Sequence, residues 1–113
     1  MFRTFLFAFT LMFGIAAYAD DMQILEYKYA RTSELTRQYV AATGEALYLM
    51  NYRLSEMKQK PLYCPPENIR LMTVNYVNVL DEEIRRQSHK KSLILQSVAD
   101  VLLDGLIRSF PCK

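Results

Sequence analysis

Tryptophan is absent, histidine occurs once (His89), and glycine and proline are scarce, at three and four residues in 113. One imidazole excludes a histidine-rich metal centre and any acid–base pair built from two histidines. With so little glycine there is no phosphate-cradling loop, and no HExxH or EF-hand pattern occurs either. Ser88 and Ser92 lack the strand-to-helix elbow context of a catalytic serine. No catalytic set emerges, so the chain is expected not to be an enzyme and to need no cofactor or metal. An excess of one charge is missing too, with 14 Lys and Arg against 12 Asp and Glu. That balance argues against nucleic acid as a partner, since nucleic-acid-binding domains are strongly basic. It also argues against a charge-driven disordered tail.

What is present begins with a leader pattern. Met1–Thr4 carries one positive charge, Phe5–Ala16 is uncharged and apolar, and Ala17-Tyr18-Ala19 precedes Asp20-Asp21. Small residues at Ala17 and Ala19 after a short apolar run form the A-x-A cleavage pattern of a secretory signal peptide. Spanning a bilayer takes about 20 apolar residues, more than this run offers. Five of the six phenylalanines fall in residues 1–19, and only Phe110 lies outside. The alternatives are an N-terminal anchor or a buried helix. The expected organisation is a signal peptide over 1–19 and one domain over 20–113, exported and off the membrane after processing.

Both cysteines, Cys64 and Cys112, lie beyond the leader. An even count in an exported chain points to a disulfide, and two cysteines allow one intramolecular pairing. A metal site or a reactive thiol are the alternatives. Two separated cysteines and one histidine do not supply four zinc ligands without carboxylates. Each cysteine sits beside proline, in Cys64-Pro65-Pro66 and Pro111-Cys112. Proline cannot continue a helix, so both are expected at helix boundaries.

Between these breaks the periodicity is helical. Asp20–Tyr29 reads as a short helix, with Asp20 and Gln23 as a loose capping box. A second helix runs from a Thr32 or Ser33 cap to about Met57. Val40, Thr43, Leu47, Met50, Leu54 and Met57 form one row, and Leu35, Tyr39, Ala42, Ala46 and Leu49 an adjoining one. Gly44 in its middle predicts close approach of another helix. A third helix opens near Glu67, with Ile69, Thr73, Tyr76, Val77, Leu80 and Ile84 inward. Asp81 with Arg85 and Glu82 with Arg86 read as i,i+4 surface pairs. A fourth covers about Ser92–Ser109, with Ile94, Leu95, Val98, Val101, Leu102, Gly105 and Leu106 inside. The expected fold is all-α, a bundle of about four helices closed by one disulfide. Seven tyrosines outside the leader are many for this length. Tyrosine suits half-buried packing and interfaces alike, and Tyr48 and Tyr52 share one helix face.

The segments Leu62-Tyr63-Cys64-Pro65-Pro66-Glu67 and Leu106-Ile107-Arg108-Ser109-Phe110-Pro111-Cys112 flank a middle helix holding Val74–Leu80. Together with Tyr39-Val40-Ala41-Ala42-Thr43-Gly44-Glu45-Ala46-Leu47, they resemble the Tai/Rap family of periplasmic immunity proteins of type VI secretion. The resemblance covers roughly Tyr39 to Cys112. In that family a proline turn commonly follows the middle helix. Here the charged stretch Asp81–Lys91 stands in its place. The resemblance implies a helical, periplasmic homodimer that binds a secreted peptidoglycan amidase effector and occludes its active site. It carries over Cys64 and Cys112 as the bridge and no contact residue. Glu82, Glu83, Arg85, Arg86, His89 and Lys90 are the charged residues nearest the altered connection, and toxin contact is expected there. The competing expectation is a small periplasmic acid-stress chaperone or another exported helical binding module.

Overall fold

A computed structural model describes residues 21–113, so the leader with Ala17 and Ala19, and Asp20, lie outside the described residues. Four α-helices follow one another: α1 (Ile24–Tyr29), α2 (Glu34–Glu56), α3 (Thr73–Arg86) and α4 (Val98–Ser109), with a 3₁₀ turn at Lys91–Leu95 before α4. There is no β-strand among the described residues beyond an isolated bridge between Gln23 and Ser97. None of these helices is long and apolar enough to cross a membrane. The all-α expectation therefore stands, with its bridge: Cys64 and Cys112 are joined, their Cα atoms 5.0 Å apart.

α3 is the central element and packs against both α2 and α4, while α1 lies on the 3₁₀ turn. Tyr76, Val77, Leu80 and Ile84 face inward from α3. They meet Val40 of α2 and Val98, Val101, Leu102 and Leu106 of α4. Ile24 and Tyr27 of α1 and Leu93 of the 3₁₀ turn complete the core. Two glycines set the helix spacing. A Cβ at Gly105 would lie 2.8 Å from Val79 Cγ1. A Cβ at Gly44 would lie 2.6 Å from Cγ and Cε1 of Tyr76, so the expected close approach is there and its partner is α3.

Tyr76 is fully buried, and its ring carbons are the atoms that an added methyl would meet. Gly44→Ala is therefore expected to destabilise by up to about 2 kcal/mol: overpacking costs roughly 1–3 and helix propensity returns roughly 1. Urea unfolding checks this; an unchanged or raised midpoint would show that the Tyr76 ring swings aside.

Three helix boundaries differ from the sequence reading. α1 begins at Ile24, with Gln23 rather than Asp20 at its N-cap. The preceding backbone is used elsewhere: Ile24 N donates to Gln96 O at 2.9 Å and Val98 N to Met22 O at 2.8 Å. The same pairing interrupts the expected Ser92–Ser109 helix. Ser97 then starts α4 afresh, its hydroxyl accepting from Asp100 N at 3.2 Å. Ile94 and Leu95 are consequently exposed rather than inside. α3 begins at Thr73 rather than near Glu67, because Asn75 Oδ1 accepts from Met72 N at 2.7 Å and caps the helix there. Ile69 is left on the surface, and Leu71 fills the core place instead.

α2 ends in a Schellman-type turn, with Gln59 N donating to Leu54 O and Lys58 N to Ser55 O. Lys58 takes the left-handed position, φ 58°, that glycine usually occupies. Asn51, buried on α2, then fastens the returning chain. Its Nδ2 donates to Tyr63 O at 2.7 Å, and its Oδ1 accepts from Leu62 N at 2.7 Å and Tyr63 N at 3.3 Å. Next to it Cys64 N donates to Phe110 O at 2.8 Å, beside the bridge. The inward seam of α2 is narrower than expected, with Thr36, Val40, Gly44 and Asn51 buried. Leu35, Leu49, Met50 and Met57 are exposed.

Candidate partner-binding surface

The charged stretch sits at the C-terminal end of α3 and in the turn after it. Gln87 N donates to Glu83 O and Lys90 N to Gln87 O, each at 2.9 Å, so the chain leaves the helix in a tight turn. Ser88 Oγ holds that turn by donating to Arg85 O at 2.8 Å. Glu82, Arg85, Arg86, His89 and Lys90 are exposed. Glu83 is not: its side chain is 1% exposed and faces α4.

Glu83 ties α3 to α4. Arg108 donates to it through Nε to Oε2 at 3.0 Å and Nη2 to Oε1 at 3.1 Å. Gln87 Nε2 donates to Glu83 Oε1 at 2.8 Å and to Asp104 Oδ2 at 3.1 Å. Arg86 adds a looser contact at 3.8 Å. Burial alone would push the Glu83 carboxyl up. The hydrogen bonds from Arg108 and Gln87 and the charges of Arg108 and Arg86 outweigh it and hold the carboxyl below its ordinary value. Glu83 is thus a structural anchor behind the surface rather than a part of it.

The expected i,i+4 pairs are not the ones formed. Glu82 pairs with Arg85, one residue nearer than Arg86. Asp81 turns to α1 instead, accepting from Tyr27 Oη at 2.6 Å and from Arg31 Nη2 at 2.7 Å. Burial first, and the Asp81 hydrogen bond second, raise the Tyr27 phenol well above its ordinary value, so it stays a proton donor. Between α1 and α3 lies an open cleft of about 490 Å³, lined among others by Tyr27, Lys28, Arg31, Asp81, Glu82 and Arg85. Of the six charged residues expected to contact a partner, only Glu82 and Arg85 line it. Lys90 lies by a second hollow beyond Arg108.

Sequence reasoning missed Tyr27, Arg31, Gln87 and Arg108 as members of this region. The signal for one was present: Glu83 falls on the Leu80–Ile84–Gln87 stripe, so a carboxylate on an inward face required a cation opposite. The tyrosines divide between packing and surface. Tyr27, Tyr63 and Tyr76 are buried, whereas Tyr29, Tyr48 and Tyr52 are exposed.

Chemically this surface offers charge and hydrogen bonds. Among the described residues no group of three or more His, Cys, Asp or Glu is placed to hold a metal ion. Comparison with protein-family models, curated proteins and solved structures finds no match to the chain. The described residues form a disulfide-closed all-α domain of four helices with one charged end.

Proposed function

We propose that the protein is a periplasmic immunity protein that binds a type VI secreted peptidoglycan amidase effector and occludes its active site. The observation that carries this reading is the joining of two of the three segments on which the family resemblance rests. Tyr63-Cys64-Pro65-Pro66 and Phe110-Pro111-Cys112 are linked by the bridge and by the Cys64 N to Phe110 O hydrogen bond. The leader over 1–19 delivers the chain to the periplasm, where a disulfide persists. The protein acts by steric cover and not by chemistry.

Glu82, Arg85, Arg86, His89 and Lys90 meet the effector, on a base that Glu83 holds in place. Charge at such a rim sets association rate and partner choice more than affinity. The chain pairs with a second copy through the outer face of α2. There Leu35, Ala42, Ala46, Leu49 and Met50 are exposed, and the two alanines allow a second helix to approach closely.

The test is co-expression with amidases directed to the periplasm, starting with the neighbouring open reading frame. Rescue from lysis and a co-purifying complex are expected. The double charge reversal Arg85→Glu with Lys90→Glu, which makes this exposed end more negative by four charges, is expected to change the association rate about tenfold at low salt, within the range of electrostatic steering. Folded protein that neither rescues nor binds any amidase overturns the reading. The acid-stress chaperone is the second reading, and the exposed α2 face favours it. A dimer that dissociates on acidification and then suppresses aggregation of other proteins would select it.

A further inference from the structure

The two ends of the α2–α3 pair differ in kind. Along α2 the neighbours run backwards in sequence. Gly44 meets Tyr76, Tyr48 shares a cleft with Ile69 and Leu71, and Asn51 holds Leu62 and Tyr63. The two helices are therefore antiparallel. α2 continues beyond Gly44 to Glu56, whereas α3 begins at Thr73, just before Tyr76. At 1.5 Å per residue α2 outruns α3 by roughly 14 Å. The irregular segment 57–72 returns along that overhang, and apolar side chains stay outside there. Fifteen large apolar side chains are exposed among the described residues, and nine of them fall in Tyr48–Val74. Leu49 and Met50 lie on the outer face of α2 proposed to meet a second copy. The others include Tyr48, Tyr52, Met57, Leu62, Ile69 and Met72. They gather at one end: Tyr48 and Ile69 line the same cleft, Tyr52 is on the next turn of α2, Met57 ends that helix, and Asn51 draws Leu62 against it. Such a concentration marks an interaction surface.

Its charge has one sign in excess. Tyr48–Val74 carries Arg53, Lys58, Lys60 and Arg70 against Glu56 and Glu67. Adding Glu45, which lines the cleft beside Tyr48, leaves the sum positive. Arg53 pairs with Glu56. Lys58, Lys60 and Arg70 form no ion pair among the described residues. Lys58 and Lys60 fall between Met57 and Leu62, and all four are exposed.

We infer that this end is a docking surface for an anionic phospholipid bilayer. Three features fit lipid better than a protein partner. The apolar side chains sit on an irregular segment and include flexible methionines, which adapt to a soft surface. Tyr48 and Tyr52 are apolar with a polar tip, the character favoured at the boundary between acyl chains and water. Lys58 and Lys60 can lay their stems along Met57 and Leu62 and reach anionic headgroups with their ammonium groups. Apolar insertion and basic charge together give the two signals that peripheral binding requires. Such contact differs from spanning, for which no helix among the described residues is long and apolar enough.

This docking concerns the end of α3 away from Glu82–Lys90, so it stands or falls apart from the amidase reading. The test is co-sedimentation of the disulfide-bonded chain 20–113 with vesicles of phosphatidylethanolamine and phosphatidylglycerol. Vesicles of phosphatidylcholine are the neutral control. Saturable binding to the anionic vesicles is expected, weakened by salt. Lys58→Gln with Lys60→Gln is expected to weaken it about thirtyfold, the contribution of two cations close to such a surface. Met57→Ser with Leu62→Ser is expected to weaken it at least about tenfold through lost apolar burial. Lys28→Gln with Lys91→Gln removes the same charge from exposed positions elsewhere and is expected to leave binding unchanged. Circular dichroism reports the fold of each variant. Absent binding overturns the inference, as does equal binding to the neutral vesicles. So does undiminished binding of the Met57 and Leu62 variant, or an equal loss in the Lys28 and Lys91 variant. A lipid-free dimer that Met57→Ser with Leu62→Ser dissociates also overturns it, because a second copy then covers this end.

Discussion

Replacing Cys64 and Cys112 by serine is expected to lower stability by about 4 kcal/mol, the chain-entropy value for a loop of this length. The bridge spans 48 positions of sequence, which encloses α3, the 3₁₀ turn and α4. Both helices that pack on α2, α3 and α4, are thus inside the loop. Domains of this size have about 5–15 kcal/mol in total, so the loss is a large fraction. In thermal unfolding it corresponds to a fall in Tm of about 20 °C, at roughly 5 °C per kcal/mol for a domain below 100 residues. The native contacts at the bridge survive the substitution in part. Asn51 still grips Leu62 and Tyr63, and Cys64 N still faces Phe110 O. The reduced protein is therefore expected to fold, with Lys58–Pro66 and the C-terminus as its least protected segments in hydrogen exchange. Urea unfolding of the wild type with and without reductant measures the same quantity. A difference below about 1 kcal/mol would mean that the unfolded chain is already compact across this loop, against the entropic account.

The elements legible in the sequence were those announced by chemistry that leaves no choice. Two cysteines in the whole chain allow one intramolecular pairing. Pro111 beside Cys112 stands where α4 ends, whereas Cys64-Pro65-Pro66 lies within the connection between Glu56 and Thr73 and, against expectation, bounds no helix. Gly44 within a helical pattern marks a close approach, and Tyr76 occupies it. The boundaries were less legible, because they depend on partners distant in sequence. α1 and α4 both start where they do because Met22–Ile24 and Gln96–Val98 exchange backbone hydrogen bonds. No local pattern announces that exchange. A weaker signal existed at Ser97-Val98-Ala99-Asp100, which has the S-x-x-D spacing of a helix start. The start of α3 depends on Asn75 folding back on Met72 N, which competes with a plausible entry at Pro66-Glu67.

The charged end shows the same division. Six charged residues clustered at Glu82–Lys90 were visible by composition alone. Which of them faces solvent was not, since Asp81, Glu82 and Glu83 are adjacent acids and helix phase alone separates them. Asp81 goes to Tyr27 and Arg31, Glu82 to Arg85, and Glu83 inward to Arg108. Three neighbouring carboxylates thus take three different roles. One fastens α1, one stays on the surface, and one locks α4.

That lock sets the second large effect. Arg108→Ala is expected to destabilise by about 3 kcal/mol at neutral pH. Stranding a buried charge costs about 3–5 kcal/mol, and the low end applies because the Arg108 side chain is 49% exposed. Gln87 and Arg86 also remain near Glu83 to compensate in part. Replacing both partners, Glu83→Leu with Arg108→Met, is expected to cost much less than Arg108→Ala alone, since no charge is then stranded. Acid acts on the same bond. The Glu83 carboxyl is held below its ordinary value of 4.5. Its contribution is therefore complete above about pH 4.5 and is lost as pH falls through the lower folded value. Glu83→Gln is expected to remove that part of the acid sensitivity and to flatten the fall in Tm below pH 4.5, while lowering Tm at pH 7. Thermal unfolding of both proteins across pH measures the difference, and parallel curves would sink the assignment. Because Glu83 lies between Glu82 and Arg85 on one turn, acid weakens one tie of that end of α3 to α4, while Gln87 still donates to Asp104.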